Sequence, residues 1–202
     1  MIFDVLILGG GAAGMSCALV LGSAQNKPFG KEKRIGIVLH QRSSALDRAV
    51  FYNALGLEPG LLGKDILQKG ADQLSKYYPD IKQITKEKVV NIEQNQNVFA
   101  VKTNKNSYFA KKIVIAIGPS NLNQIAGIKE FIIPHQKIEA VKERIQLKNT
   151  DHLVKKDMYV AGVLAGHRSQ FAIACGSGAA VATDILTEWN HGKHTMIHDA
   201  ID

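Results

Sequence analysis

The first hydrophobic stretch, residues 3–8, is apolar at every position but Asp4 and stops abruptly at Gly9-Gly10-Gly11. A near-continuous apolar run of this length marks a strand buried on both faces of a parallel sheet. Alanine, leucine and methionine dominate residues 12–21, which predicts a helix. Residues 24–33, with Pro28 and Gly30, read as a loop, and Ile35 to Leu39 as a second buried strand. Strand, glycine turn, helix and strand in that order make a right-handed βαβ unit.

Beyond it the pattern changes character. Residues 42–63 are irregular and end in "NALGLEPGLLG", after which Ile66, Leu67, Ala71 and Leu74 recur at helical spacing until Pro79. Residues 89–92, 98–102 and 107–109 are short alternating segments separated by "EQNQN" and "NKN", which predicts an antiparallel meander. Residues 113–117 form another fully apolar strand, stopped by Gly118-Pro119. Residues 119–157 read as either a small β excursion or a surface loop. Residues 158–161 predict a last parallel strand, and residues 169–189 a long helix rich in small and aliphatic side chains. The fold class is therefore α/β, Rossmann-like, with a parallel sheet and a small antiparallel meander.

Composition narrows the functional classes. A chain of 202 residues that is 46% hydrophobic can bury one substantial core, so a single domain over 1–202 is expected. A formal charge of +7 favours acidic partners in general. The lysines are scattered and no recognition motif accompanies them, which argues against nucleic acid as the partner. Cys17 and Cys175 lie far apart without a CxxC, so a reducing, cytoplasmic setting is expected, and no apolar run reaches membrane-spanning length. No signal peptide is recognisable.

The candidate chemistry lies in the glycine turns. "GGGAAG" meets the GxGxxG pattern through Gly9, Gly11 and Gly14, between a predicted strand and a predicted helix. Gly9 allows the tight turn, Gly11 lets the backbone approach a pyrophosphate, and Gly14 lets the helix pack on the strand. The free N–H groups of the helix start face the anion. The acid that usually follows the second strand is replaced by His40-Gln41-Arg42. His40 or Gln41 can still bond a ribose hydroxyl, more weakly than a carboxylate. Arg42 would suit a nearby phosphate.

A second strand-to-helix turn, "YVAGVLAGHRSQFAIACGSGAAVA", comes late in the chain. With it the chain resembles the FAD domain of the thioredoxin reductase-like, pyridine nucleotide-disulphide oxidoreductase group, in order and over most of its length. The resemblance implies that Gly9, Gly11, Ala12, Ala13 and Gly14 cradle the FAD pyrophosphate. It places Asn53 of "FYNALGLEPGLLGKDIL" opposite the flavin ring and Val90, with Val89, beside the adenine. Ile117 and Gly118 of "KKIVIAIG" fall where the family has Thr-Gly. Gly162 and Val163 occupy the ribityl-binding turn, with Val163 where the family has Asp, and Gln170, Phe171 and Ala172 lie at the flavin pyrimidine edge. The family also inserts an NADPH domain carrying a redox CxxC. Residues 119–157 are too few to form it, so a lone FAD domain is expected.

The resulting expectation is an FAD-binding oxidoreductase-like protein that passes electrons through noncovalent flavin. The donor would be diffusible NAD(P)H, a small dithiol or a redox partner protein, and a homodimer is one arrangement that would cover an open flavin face. The alternative is a non-catalytic nucleotide-binding or interaction module derived from such a reductase. An NAD(P)-binding enzyme would leave the Asn53 stretch and the second turn without a purpose. No catalytic side chain stands out and no metal site is expected, since His191, His194 and His198 lie in a polar tail. Cys175, near the start of the last helix, reads either as a core residue or as a thiol activated by the helix dipole.

Overall fold

In the computed structural model, which describes residues 2–39, 45–118 and 125–197, β1 (Ile2–Leu8) runs into the first glycine turn. From there α1 (Ala12–Ser23) returns the chain to β2 (Ile35–Leu39), which lies parallel to β1 with Leu6 opposite Gly36. A 3-10 turn over Ala45–Arg48 and a short hairpin, β3 (Val50–Phe51) with β4 (Leu61–Leu62), lead to α2 (Gly63–Tyr77). The chain then adds β5 (Lys82–Thr85) parallel to β2. Only Ile84 of β5 is fully buried, so this edge strand is too polar to announce itself as an apolar run.

The meander consists of β6 (Val89–Asn95), β7 (Val98–Thr103) and β8 (Ser107–Ile115). What the pattern divides into a meander strand and a separate buried strand is one continuous strand. β8 lies parallel to β1 along most of its length, but its first residues pair antiparallel with β7. From Ile113 on, the other neighbour is β12 (Met158–Val160), so the sequence pattern changes where the covering strand changes, without a break in the backbone.

The stretch of residues 119–157 contains a β excursion, the antiparallel pair β9 (Ile132–Pro134) and β10 (Ile145–Leu147). An edge strand, β11 (Leu153–Lys155), precedes β12 (Met158–Val160), whose end opens through a 3-10 turn, Gly162–Ala165, towards α3 (Phe171–Trp189). The main sheet runs β11-β12-β8-β1-β2-β5, parallel except for β11.

Two apolar layers clothe this sheet. Val5, Ile7, Ile35 and Ile37 meet Ala18 and Leu21 of α1 and Val181 and Ile185 of α3, with Cys17 fully buried as packing. Leu6, Leu8, Ile113 and Ile115 point the other way, onto Ile92, Phe99 and Val101 of the meander. At the end of the sheet remote from the glycine turns, buried Lys112 pairs with Asp157 and with Glu188 at 2.6 Å, tying β8 to α3. Burial alone would lower the Lys112 pKa, but these two carboxylates hold it above its usual value. Among the described residues no helix is long and apolar enough to cross a membrane.

The closest helix contact has a steric cause. A Cβ added at Gly178 of α3 would overlap the carbonyl oxygen of Ala13 in α1. Gly178→Ala should therefore cost about 1–3 kcal/mol and lower the Tm by roughly 2–4 °C per kcal/mol, read by thermal unfolding followed in circular dichroism. The meander has a polar anchor in Glu87, only 8% exposed. Thr103 and Tyr108 donate to its carboxylate at 2.6 and 2.8 Å, and Asn106 at 2.7 Å. Burial would raise this carboxyl's pKa, but the three donors outweigh it and hold it below the ordinary value. A depressed folded pKa gives stability that is present at neutral pH and lost as pH falls through that pKa. The Tm gap between wild type and Glu87→Gln should be wide at pH 7 and close progressively below about pH 4.3.

Candidate functional site

Two jaws meet over the carboxyl ends of the parallel strands. The first is the turn from β1 into α1. Gly9 has φ +116°, and a Cβ there would press on the Ala116 carbonyl at 2.6 Å; a Cβ at Gly14 would overlap the carbonyl oxygen of Gly9. Gly11 is the extended N-cap of α1 without a side-chain cap, so its opening N–H groups are left for an incoming anion. The second jaw is the turn from β12 into α3. Gly162 has φ +76°, and a Cβ added there would stand 3.2 Å from the Ala13 Cβ, which brings the two jaws together.

Between and around them lies a cleft of about 1360 Å³. That exceeds the roughly 300–1,000 Å³ of ordinary small-molecule pockets and suits a dinucleotide. Gly9, Gly11, Ala12 and Ala13 line it from the first jaw, Ile117 and Gly118 from the end of β8, and Gly162, Val163, Gln170 and Phe171 from the second. Gly14 lies buried behind the turn, where it sets the helix against the strand.

Besides Gly14, three expected positions are not brought into this lining. Asn53 sits exposed on the loop of the β3–β4 hairpin, beside Tyr52 and Leu55, which are 73% and 105% exposed. Phe51, at the base of that hairpin, lines the cleft instead and packs on Phe171 at 5.0 Å between ring centroids. Val89 lines the cleft and Val90 does not, at a point where the pairing of β6 with β7 shifts register, and Ala172 is replaced in the lining by Ala174, two positions along the helix. His40 and Gln41 lie outside the described residues.

The side chain of Gln170 is used locally. Its Oε1 accepts from the Ile173 N–H at 3.1 Å and caps α3. Cys175 is half-buried, and burial pushes its thiol pKa up against a weaker opposing hydrogen bond from Ser16. That direction is the opposite of the lowering a helix N-terminus produces in an activated thiol.

Histidines without an assigned role in the sequence turn out to brace the second jaw. His135, almost fully buried, accepts the Lys137 N–H at Nδ1 (3.1 Å). Its Nε2–H is thereby left to donate to the carbonyls of Val163 and His167, each at 3.2 Å. The Gly162 N–H donates to Ser177 Oγ at 2.8 Å. His152 Nδ1 bonds the Val160 carbonyl at 3.0 Å, and its Nε2 lies 3.5 Å from His167 Nε2. Burial, followed by the charges of His152 and Lys137, holds the His167 pKa below its ordinary value. Single isolated histidines carry no pattern that links them in sequence; only the fold brings them to one turn.

The lining is also basic. Arg48, Lys88, Lys137, Lys142, Arg144 and Arg168 face the cleft against Asp47 and Glu139. Among the described residues no group of three His, Cys, Asp or Glu is placed to hold a metal ion.

A parallel sheet with a glycine turn and helix at each of two strand ends, closing on one basic cleft, is the layout of a dinucleotide-binding α/β fold. The chain belongs to the pyridine nucleotide-disulphide oxidoreductase family, whose profile matches residues 3–181. It is 25% identical over 200 residues to a ferredoxin–NADP reductase of Leuconostoc citreum (strain KM20), covering 98% of this chain and 52% of that protein. A ferredoxin–NADP reductase of Streptococcus agalactiae serotype III (strain NEM316) is 27% identical over 119 residues, covering 58% of this chain and 35% of that protein. The chain thus spans about half the length, or less, of these relatives.

Solved structures agree on the fold. An oxidoreductase from Agrobacterium tumefaciens superposes with a TM-score of 0.70 at 16% identity, over 96% of this chain and 100% of that one. The T. acidophilum thioredoxin reductase gives 0.68 at 15% identity, over 93% and 98%. The cradle at α1 and the volume of the cleft fit a dinucleotide of the size of FAD. The second jaw offers an apolar Val163 in place of a carboxylate.

His135 is a positioning residue for that jaw. His135→Ala should weaken FAD binding about 10-fold, equivalent to about 1.4 kcal/mol, with His135→Gln partly restoring it, as measured by flavin fluorescence titration.

Proposed function

We propose that the chain is a noncovalent FAD-binding domain that passes electrons between an external donor and an acceptor. The observation that carries this reading is the meeting of two glycine-turn jaws over one dinucleotide-sized cleft. When bound, FAD supplies the redox chemistry, and the protein supplies binding, orientation and electrostatics. The α1 N–H groups beyond Gly11 and the close-approach positions Gly9 and Gly14 would hold the pyrophosphate. Residues 117–118 and the turn at Gly162 and Val163 would line the ribityl path, and Gln170 and Phe171 the ring end. Asn53, Val90 and Ala172 could reach the cofactor only with a shift of their segments.

On this reading residues 1–202 act as one domain without an NADPH-binding insertion, and electrons arrive from outside it. The donor is diffusible NAD(P)H, a small dithiol or a redox protein, and a homodimer would cover the ring end. The relatives named as ferredoxin–NADP reductases support a nicotinamide-linked exchange. The six cations of the lining suit anionic ligands of this kind.

One observation favours a second reading. Val163 removes a carboxylate acceptor from the ribityl-binding turn, as expected of a nucleotide-binding module that has left redox chemistry behind. The visible spectrum separates the two. Protein purified with added FAD should show stoichiometric flavin absorbance. Val163→Asp should tighten FAD by about 10- to 100-fold, the worth of a charge-assisted hydrogen bond of about 1.5–3 kcal/mol. A wild type that ignores FAD, beside a Val163→Asp variant that binds it, would favour the second reading; no binding by either would end the first.

A further inference from the structure

Behind the second jaw, and outside the cleft lining, two imidazoles face each other. His152 sits in the tight turn before β11, where the N–H groups of Thr150 and Leu153 each donate to the other residue's carbonyl, at 3.0 and 2.8 Å. His167 belongs to the turn that follows Gly162 and Val163. The two Nε2 atoms lie 3.5 Å apart and the ring centroids 5.1 Å apart, with the ring planes tilted by 41°.

The His152 ring is held from behind. Its N–H donates to Asn149 Oδ1 at 3.2 Å, and its carbonyl accepts the Val160 N–H at 2.9 Å. Its Nδ1 lies 3.0 Å from the Val160 carbonyl, and because a carbonyl only accepts, that nitrogen carries the ring proton. Nε2 of His152 is thereby left with a bare lone pair on the side of His167. An Nδ1–H anchored on a backbone carbonyl is also what orients a histidine that ligates a metal through Nε2. His167 is neutral at pH 7, since burial and its charged neighbours hold its pKa below the ordinary value.

The spacing separates two uses of this pair. Hydrogen bonds from nitrogen normally span about 2.7–3.2 Å, so 3.5 Å is long for a direct bond between the rings. Two imidazole nitrogens on one tetrahedral ion, each at roughly 2.05 Å, stand about 3.4 Å apart with their ring centroids about 5.2 Å apart. Both separations in the pair match this chelate closely. The surrounding charge is mixed: Asp184 of α3 interacts electrostatically with His152 and with Asp151, while Lys137 opposes them on the side of His167. Among the described residues no third His, Cys, Asp or Glu completes the set, so water would fill the remaining positions on an ion.

We propose that His152 and His167 form a two-histidine site for Zn2+, which fastens the turn before β11 to the turn of the second jaw. Imidazole nitrogens suit this ion, whereas Mg2+ and Ca2+ take oxygen ligands. Neither ring lines the cleft, so the site stands independently of the FAD reading.

The test is calorimetric titration of the full chain with ZnCl2, in a background where His191, His194 and His198 of the polar tail are changed to Ala so that they cannot compete. This tail variant should take up about one equivalent of Zn2+, and His152→Asn or His167→Ala added to it should each weaken uptake about 10-fold or more. The His152→Asn side chain keeps an N–H for the Val160 carbonyl while removing Nε2. Zn2+ should also raise the Tm of the tail variant and leave that of the further substituted proteins unchanged. Uptake that vanishes with the tail substitutions alone assigns the ion to the tail and overturns the site. So does uptake that survives His152→Asn and His167→Ala together, or the absence of saturable uptake by the tail variant up to roughly 1 mM ZnCl2. Circular dichroism without metal distinguishes a lost ligand from a lost fold. If His152→Asn unfolds, His167→Ala decides alone, because the His167 ring bonds only to His152 among the described residues.

Discussion

The close approach of α1 to α3 is the constraint on which the rest depends. Ala13 is touched from two sides, by Gly178 along its carbonyl and by Gly162 at its Cβ, and nothing larger than glycine fits at the first of these contacts. Because α1 starts one jaw and α3 starts the other, this contact sets their separation. The parallel strands position the ends of the jaws, but helix packing determines how wide the cleft between them is. The two apolar layers hold that geometry from both faces of the sheet.

Polar groups then fix what packing leaves free. The second jaw lacks a carboxylate and is held by backbone bonds from His135 and Ser177, which leaves its inner surface apolar at Val163. Apart from Arg168 in the second turn, the charge of the site is supplied from outside the jaws, by Lys88 at the start of the meander, the 3-10 turn at Ala45–Arg48 and the β9–β10 hairpin. Shape and charge thus come from different parts of the chain, and either can change while the other stays.

Much of this was legible in the sequence. The strand at residues 3–8, the turn at Gly9 to Gly14 and the late turn at Gly162 each combine an apolar run with glycines whose spacing has a steric cause. The family profile over residues 3–181 agrees with the reading those motifs support. Other features were hidden for identifiable reasons. β5 is too polar to stand out, and β8 reads as two strands because its covering neighbour changes from β7 to β12. Phe51, rather than Asn53, faces the cleft because the strand ends at Phe51 and Asn53 lies out on the exposed hairpin loop, and of the expected pair Val89 and Val90 only Val89 lines it. The histidine brace joins positions up to 32 residues apart and has no local signature.

The connection from β8 to β12 carries a consequence for how such a fold diversifies. Its two ends are adjacent parallel strands, with Ile115 opposite Val160, so the sheet itself fixes the distance the connection must bridge. The entropy of closing a loop rises only slowly with its length, about 0.6 kcal/mol per doubling. Anything from a short hairpin to a folded module can therefore be spliced between these strands without disturbing their register. The hairpin seen here is one occupant of a socket whose dimensions the sheet sets in advance.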